Sequence, residues 1–213
     1  MKDIAIYGAG GYGKEIYLVL RAINEVKPTW NFIGFFDDGI KPGKVNRYGD
    51  VIGDINTLND WKDKLEIVIS ISSPKIIEKL VNKISNPLIS FPNIIAPNVH
   101  FFDLEAVNLG KGNVFFFGSR LSCDITIGNF NIISAFVALG HDVFLGNYNV
   151  LGPSVRISGN TKIGNANYFG VQSIVLQGLK IGDYTRIGVN STIIKNTEDG
   201  FLYFGNPAKR ISL

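Results

Sequence analysis

From Leu109 onward a large apolar residue returns at every sixth position: Leu109, Phe115, Leu121, Ile127, Ile133, Leu139, Leu145, Leu151, Ile157, Ile163, Phe169, Val175, Ile181, Ile187 and Ile193. Gly follows the marker at 110, 128, 140, 146, 152, 164, 170, 182 and 188, and the residue two before it is usually small or β-branched, as at Ile125, Val137, Val143, Val155, Thr161 and Ser173. An α-helix, with about 3.6 residues per turn, cannot hold such a period on one face. Taken every third hexad the pattern sharpens into columns such as Leu109-Gly110, Ile127-Gly128, Leu145-Gly146, Ile163-Gly164 and Ile181-Gly182. A chain that turns one corner per hexad closes a triangular coil every eighteen residues, with like positions stacked at the strand spacing of about 4.8 Å. The pattern predicts a parallel β-helix of about five coils, uninterrupted from Leu109 to Ile193, with Gly and Asn at corners that need φ > 0.

Upstream the period changes. Residues 3–7 read as a strand, followed by Gly8-Ala9-Gly10-Gly11-Tyr12-Gly13 and a helical pattern over 14–23 with apolar Ile16, Val19, Leu20 and Ile23. A second strand over 32–36 ends in Asp37-Asp38, and a third over 66–71 runs into Ser72-Ser73-Pro74, where Ser73 can cap and Pro74 can open a helix over 75–84. A short strand over 88–91 follows, and 92–98, with Pro97, reads as a linker. The predicted organisation is an α/β domain over 1–92 and a β-helix domain with a C-terminal cap over 93–213.

Gly8, Gly10 and Gly13 fit G-x-G-x-x-G between a strand and a helix, the context in which loop amides attract a phosphate. Four strands in so short a domain cannot supply both halves of a dinucleotide fold, so a mononucleotide-type ligand fits better than NAD. Asp37 stands where such folds place an acid for the ribose, yet Asp37-Asp38-Gly39 is also turn chemistry, and both readings remain open.

In the coil, His141 occupies the third position of its hexad, at a corner, with Asp142 beside it. Cys123, Gly159, Gln177 and Lys195 share its column, so the next coil presents bare backbone at Gly159. A corner imidazole beside an acid is either a solvated turn residue or a general base, with Gly159 placed to donate to an oxyanion. Cys123 reads as a small column residue with no cation nearby in sequence to activate it.

A net charge of +3 without basic runs or an interleaved aromatic stripe argues against nucleic acid. The single cysteine excludes an internal disulfide, and two distant histidines cannot supply a structural zinc site or the three histidines of a metal-dependent hydratase. The start Met1-Lys2-Asp3 leads into a short strand, and no segment has the length of a membrane span, so a cytoplasmic protein is expected.

The uninterrupted hexads, Gly140-His141-Asp142 and the segment Gly205-Asn206-Pro207-Ala208-Lys209 resemble the hexapeptide-repeat acyltransferases, specifically the branch around the sialic acid O-acetyltransferase and the bacillosamine-pathway N-acetyltransferase. The resemblance implies a left-handed coil, a truncated Rossmann-like N-terminal domain, a homotrimer, acetyl-CoA as co-substrate and no metal. It implies His141 as base, Asp142 as the acid that orients it, and Gly159, Gln177, Gly178, Gly205, Pro207, Ala208 and Lys209 along the coenzyme. It further implies acceptor binding by Gly8, Gly10, Gly11, Tyr12, Gly13 and Ser72, with Asp37 and Asp38 facing the base of a nucleotide-linked sugar. Members usually carry His in the glycine loop where this chain has Tyr12. The expected reaction is N-acetylation of a nucleotide-linked amino sugar, with O-acetylation of sialic acid or another sugar and a non-catalytic ligand-binding module as alternatives.

Overall fold

Ile4, Ala5, Ile6 and Tyr7 are all buried, so β1 (Lys2–Tyr7) is apolar on both faces, as a central parallel strand must be. Around it the chain builds α1 (Gly11–Val26), β2 (Trp30–Phe36), β3 (Gly43–Asn46), β4 (Gly49–Gly53), α2 (Ile55–Asn59), β5 (Leu65–Ile69), α3 (Pro74–Lys83) and β6 (Ile89–Ser90) in a computed structural model that describes residues 1–211. The sheet order is β3-β4-β2-β1-β5-β6, parallel except for the β3–β4 hairpin. That hairpin and α2 were not among the expected elements; their sequence is rich in Gly, Asn and Asp and carries no period long enough to read. Ser73 is the N-cap of α3 but makes no side-chain cap bond, so the Pro74 start is what remains of the expected capping.

The solenoid has three faces. The first begins with Ile94–Ile95 and runs through Arg186–Ile187, the second runs from His100–Phe101 to Thr192–Ile193, and the third from Val107–Leu109 to Lys180–Ile181. All pairings between coils are parallel, as in Ile133 with Leu151 and Leu139 with Ile157, and the coil is left-handed. Every marker residue from Phe115 to Ile193 is buried in one core, and Leu109 packs on its edge. A C-terminal hairpin, Leu202–Gly205 with Ala208–Ile211, extends the first face and closes its open end. No helix among the described residues is long and apolar enough to cross a membrane.

The solenoid starts two strands earlier than the six-residue period. Ile94–Ile95 pairs with Val114–Phe115 and His100–Phe101 with Arg120–Leu121, a separation of twenty residues, whereas Val107 pairs with Ile125 eighteen later. Two extra residues between Phe101 and Val107 break the period, so part of the expected linker over 92–98 is the first strand of the coil. Its outward side chains also join the α/β cores: Ile94, Val114 and Phe116 pack with Ile16, Val19 and Leu20 of α1, while Phe130, Ile132 and Val150 pack in the cluster that holds Ile77 and Leu80 of α3.

The corners work differently from the expectation. Positive φ falls three residues after the marker, at the expected Gly112, Gly118, Gly178, Asn160 and Asn190 but also at Asp124, Phe130, Phe136, Asp142, Tyr148, Ser154, Ala166, Gln172 and Tyr184, and not at the glycines that directly follow the markers. Those glycines are fixed by stacking, since a Cβ on Gly140 would lie 2.5 Å from the Gly159 nitrogen and one on Gly128 would lie 2.8 Å from the Gly146 oxygen. The position two before the marker departs from the usual small or β-branched residue chiefly on one face. On the first face it is Asn113, Asn131, Asn149 and Asn167, all fully buried, each Oδ1 accepting from the backbone N–H of the next, at 2.9 Å for Asn131 and 2.8 Å for Asn149. A second ladder runs Asn129, Asn147, Asn165, Asp183 along the same edge of the prism.

Asn131→Leu keeps the approximate volume but leaves the buried Asn149 N–H without an acceptor, which costs about 1–3 kcal/mol. Thermal unfolding should fall by about 2–4 °C for each kcal/mol in a chain of this size. An unchanged midpoint would show that the ladder does not carry stability.

Candidate active site

His141 and Asp142 sit at the corner between the second and third faces, after Ala138–Leu139 and before Phe144–Leu145. The backbone there is held from both sides: Asp142 N–H donates to the Cys123 carbonyl at 3.1 Å, and Asn160 N–H donates to the His141 carbonyl at 2.8 Å. Asp142 takes the left-handed conformation at φ 57°, which a short polar side chain tolerates. Its Oδ2 lies 2.7 Å from His141 Nδ1. A carboxylate only accepts, so it fixes the tautomer with hydrogen on Nδ1 and a lone pair on Nε2. Both side chains are about half exposed, at 50% and 58%, so the pair adds little stability and its effect is orientation.

The Nε2 edge of the ring covers Gly159, because a Cβ there would lie 2.5 Å from Nε2 and 2.6 Å from Cε1. Gly159 is buried, its carbonyl accepts from Gly178 N–H at 3.0 Å, and its own N–H has no partner among the described residues. Gln177, Gly178 and Lys195 continue the column as exposed residues, and the space around Gly178 is open. Gly205, Pro207, Ala208 and Lys209 lie elsewhere, in the hairpin that extends the first face. One chain therefore brings His141, Asp142, Gly159, Gln177 and Gly178 together and does not bring the tail segment to them.

In the glycine loop the residues divide. Gly8, at φ 112°, and Gly13 have no room for a side chain, since a Cβ on Gly8 would meet Ser70 Oγ at 2.5 Å and one on Gly13 would strike the Gly8 carbonyl. Ser70 Oγ donates to that carbonyl at 2.7 Å. Gly10 and Gly11 have open space beyond Cα, and α1 begins there without a side-chain cap or an acid in its first turn. Asp37 accepts from Ala9 N–H at 2.9 Å and from Gly39 N–H at 2.8 Å, so it stitches the second strand to the loop. Asp38 accepts from the Tyr7 hydroxyl and from Ile55 N–H at 3.0 Å; burial, and then this carboxylate, push the Tyr7 phenol far above its ordinary pKa. These hydrogen bonds carry the turn reading of the aspartate pair.

A cavity of about 750 Å³ opens between α1 and the corner from the first face to the second. It brings together Tyr12 and Ser72 with Glu15, Phe116, Ser134 and Pro153, and it does not include His141. The Tyr12 ring packs on Phe116 at 5.3 Å between centroids, and its hydroxyl is buried beside Ser134, without a hydrogen bond of good geometry among the described residues. Glu15 and Ser134 were not among the expected residues. Ser134 had a signal, since it directly follows the marker Ile133, where most hexads carry Gly. Among the described residues, no cluster of three or more His, Cys, Asp or Glu could hold a metal.

Residues 3–84 match the PglD N-terminal domain family. No curated protein sequence matches the chain. Among solved structures, the chain is similar over nearly its whole length to the acetyltransferase domain of PglB from Neisseria gonorrhoeae FA1090 in complex with acetyl coenzyme A, at 25% identity and a TM-score of 0.89, covering 99% of each chain. It is likewise similar to PerB from Caulobacter crescentus in complex with CoA and GDP-perosamine, at 26% identity and a TM-score of 0.90, covering 100% of this chain and 98% of that one. WeeI from Acinetobacter baumannii AYE gives 26% identity and 0.88, covering 99% of this chain and 100% of that one. Over nearly its whole length the chain thus shares the fold of solved sugar acetyltransferases, and its N-terminal region matches the PglD N-terminal domain.

Gly159→Ala should fold, because no positive φ is required there, but its methyl displaces the imidazole and lengthens the contact of Nδ1 with Asp142. The readout is the His141 ring resonances or a crystal structure of the variant. A ring found in its wild-type position would refute this steric reading.

Proposed function

We propose that this hexapeptide-repeat sugar acetyltransferase moves an acetyl group from acetyl-CoA to the amine of a nucleotide-linked amino sugar, with His141 as the general base. The observation that carries it is the His141–Asp142 pair held with Nε2 over Gly159 on an otherwise regular coil. The amine nitrogen attacks the thioester carbonyl carbon while Nε2 takes its proton, and the imidazolium that forms is stabilised by the Asp142 carboxylate. The Gly159 N–H is the donor assigned to the developing oxyanion, an effect worth a few kcal/mol when preorganised. Collapse of the intermediate breaks the C–S bond, and the imidazolium returns the proton to the departing thiolate, giving CoA and the N-acetyl sugar. The neighbour solved with CoA and GDP-perosamine, which also exists as histidine-to-asparagine and histidine-to-alanine variants, supports this reading.

The acceptor's pyrophosphate is assigned to the amides at Gly10 and Gly11, and the coenzyme's arm to Gly159, Gln177 and Gly178. The cavity beside Tyr12 and the His141 corner lie on different edges of the prism, and the Gly205 to Lys209 segment lies with the first face. A homotrimer resolves this, since threefold packing of triangular prisms sets the edge of one chain against another edge of the next. Phe136, at the corner that borders the cavity, and Phe144, just after the His141 corner, are 57% and 47% exposed in one chain and would be covered there. The cytoplasm, where acetyl-CoA and nucleotide sugars are at hand, is the assigned compartment.

His141→Ala should lower kcat by a factor of roughly 10² or more while the KM for acetyl-CoA stays near wild type. Normal turnover would place the base elsewhere. Gly10→Val should fold, given the open space at that position, and raise the KM for the acceptor alone. Light scattering should give three times the chain mass; a stable monomer at assay concentration would rule out the shared site.

A further inference from the structure

We infer that the second face of the solenoid lines the threefold axis of the trimer, and that Arg120 and Arg156 from three chains hold a tetrahedral oxyanion there, of the phosphate or sulfate class. The inference rests on the threefold packing assigned to the acetyltransferase reading and adds to it a binding site that no single chain contains.

Which face turns inward follows from the edges. The cavity beside Tyr12 lies on the edge between the first and second faces, and His141 lies on the edge between the second and third. When the one edge of each chain meets the other edge of the next, either the second face or the edge opposite it looks toward the axis. That opposite edge is already covered within the chain: Phe130 shares a core with Ile77 and Leu80 of α3, and the Tyr184 hydroxyl donates to Glu78 at 3.2 Å. Three copies of the α/β region at the axis would hold the solenoids apart, so the second face is the one that turns inward. Exposed apolar side chains stand on both of its borders, Phe117, Phe136 and Val189 on one and Leu176 and Ile194 on the other.

The outward positions of this face directly precede the buried markers and stack as His100, Arg120, Ala138, Arg156, Ile174 and Thr192. Arg120 and Arg156 are exposed and, among the described residues, make no ion pair and no side-chain hydrogen bond. The carboxylates bordering the face are Asp103 and Glu105 after Phe101, and Asp124 and Asp142 at the His141 edge; none pairs with either arginine, and Asp142 is held on His141. His100 stacks beneath Arg120 and brings no negative charge. A guanidinium keeps its proton, so three copies of each arginine bring permanent like charge to one line, and a buried line of cations calls for an anion. The two levels stand two coils, about 10 Å, apart, and between them the small Ala138 leaves a gap on the axis. A tetrahedral oxyanion presents three oxygens around its own threefold axis and can accept from all three chains at once, in the bidentate geometry that arginine offers.

The test is thermal unfolding and light scattering of the full-length protein in inorganic phosphate, in sulfate and in chloride at matched ionic strength. Phosphate and sulfate should raise the unfolding midpoint by roughly 2–4 °C at a hundredfold excess over Kd, because one ion is shared by three chains, and chloride should not. Calorimetry should give one phosphate per three chains. Arg120→Gln combined with Arg156→Gln should abolish the shift and, in phosphate-free buffer, unfold at a higher temperature than wild type, since the repulsion is gone. An equal shift in chloride would reduce the effect to charge screening and overturn the site. A shift retained in the double variant would place the ion elsewhere, and a double variant less stable than wild type without phosphate would pair the arginines with carboxylates of the neighbouring chain; either result overturns it too. A trimer that does not respond to phosphate overturns the axial site and leaves the shared acetyltransferase site standing, whereas a stable monomer overturns the packing on which both rest.

Discussion

Every coil of the solenoid lies one strand spacing, about 4.8 Å, from the next, and that distance governs what each position can hold. A side chain pointing inward must stack on its equivalent, so the markers from Phe115 to Ile193 form one apolar core. Backbone groups buried at an edge must find acceptors at the same pitch, and the asparagine ladders supply them, with Asn131 and Asn149 each capping the N–H of the coil that follows. Where two backbones come closest no Cβ fits at all, which explains glycine at 128, 140 and 146 without appeal to unusual dihedrals.

The candidate active site is a local use of the same constraint. Gly159 is the one residue type that lets an imidazole lie over the adjoining coil at that pitch, and the neighbouring left-handed corner turns Asp142 back onto Nδ1. Rigidity comes from backbone bonds to the coils before and after, through Asp142 to Cys123 and Asn160 to His141, so the exposed pair need not hold itself in place. An exposed ion pair would be a weak anchor by itself, but on this scaffold it needs only to set a tautomer.

The α/β region is joined to the coil through a shared core. Ile94, Val114 and Phe116 belong to the cluster of α1, and Phe130, Ile132 and Val150 to that of α3, so the outward side of the first face is a packing surface from Ile94 to Val150. This fixes the glycine loop against the solenoid and creates the cavity in which Tyr12 meets Phe116 and Ser134, residues more than a hundred positions away in sequence.

The sequence by itself determined the β-helix, its three-hexad repeat, the strand-glycine loop-helix start and the pairing of His141 with Asp142 and Gly159, because each is a short-range regularity or a fixed column of eighteen. It did not reveal the first two strands of the coil, where two extra residues before Val107 shift the register, nor the β3–β4 hairpin, which has no period. It misassigned the corner conformation in part, since Gly two residues before the true left-handed position looks the same in a one-dimensional pattern. Only the tertiary structure decided that Asp37 and Asp38 hold the loop, that Ser134 and Glu15 line the cavity, and that the cavity and His141 occupy different edges of the prism. Those facts depend on how the two cores meet, and long-range packing of apolar faces is non-directional and leaves no period in the chain to read.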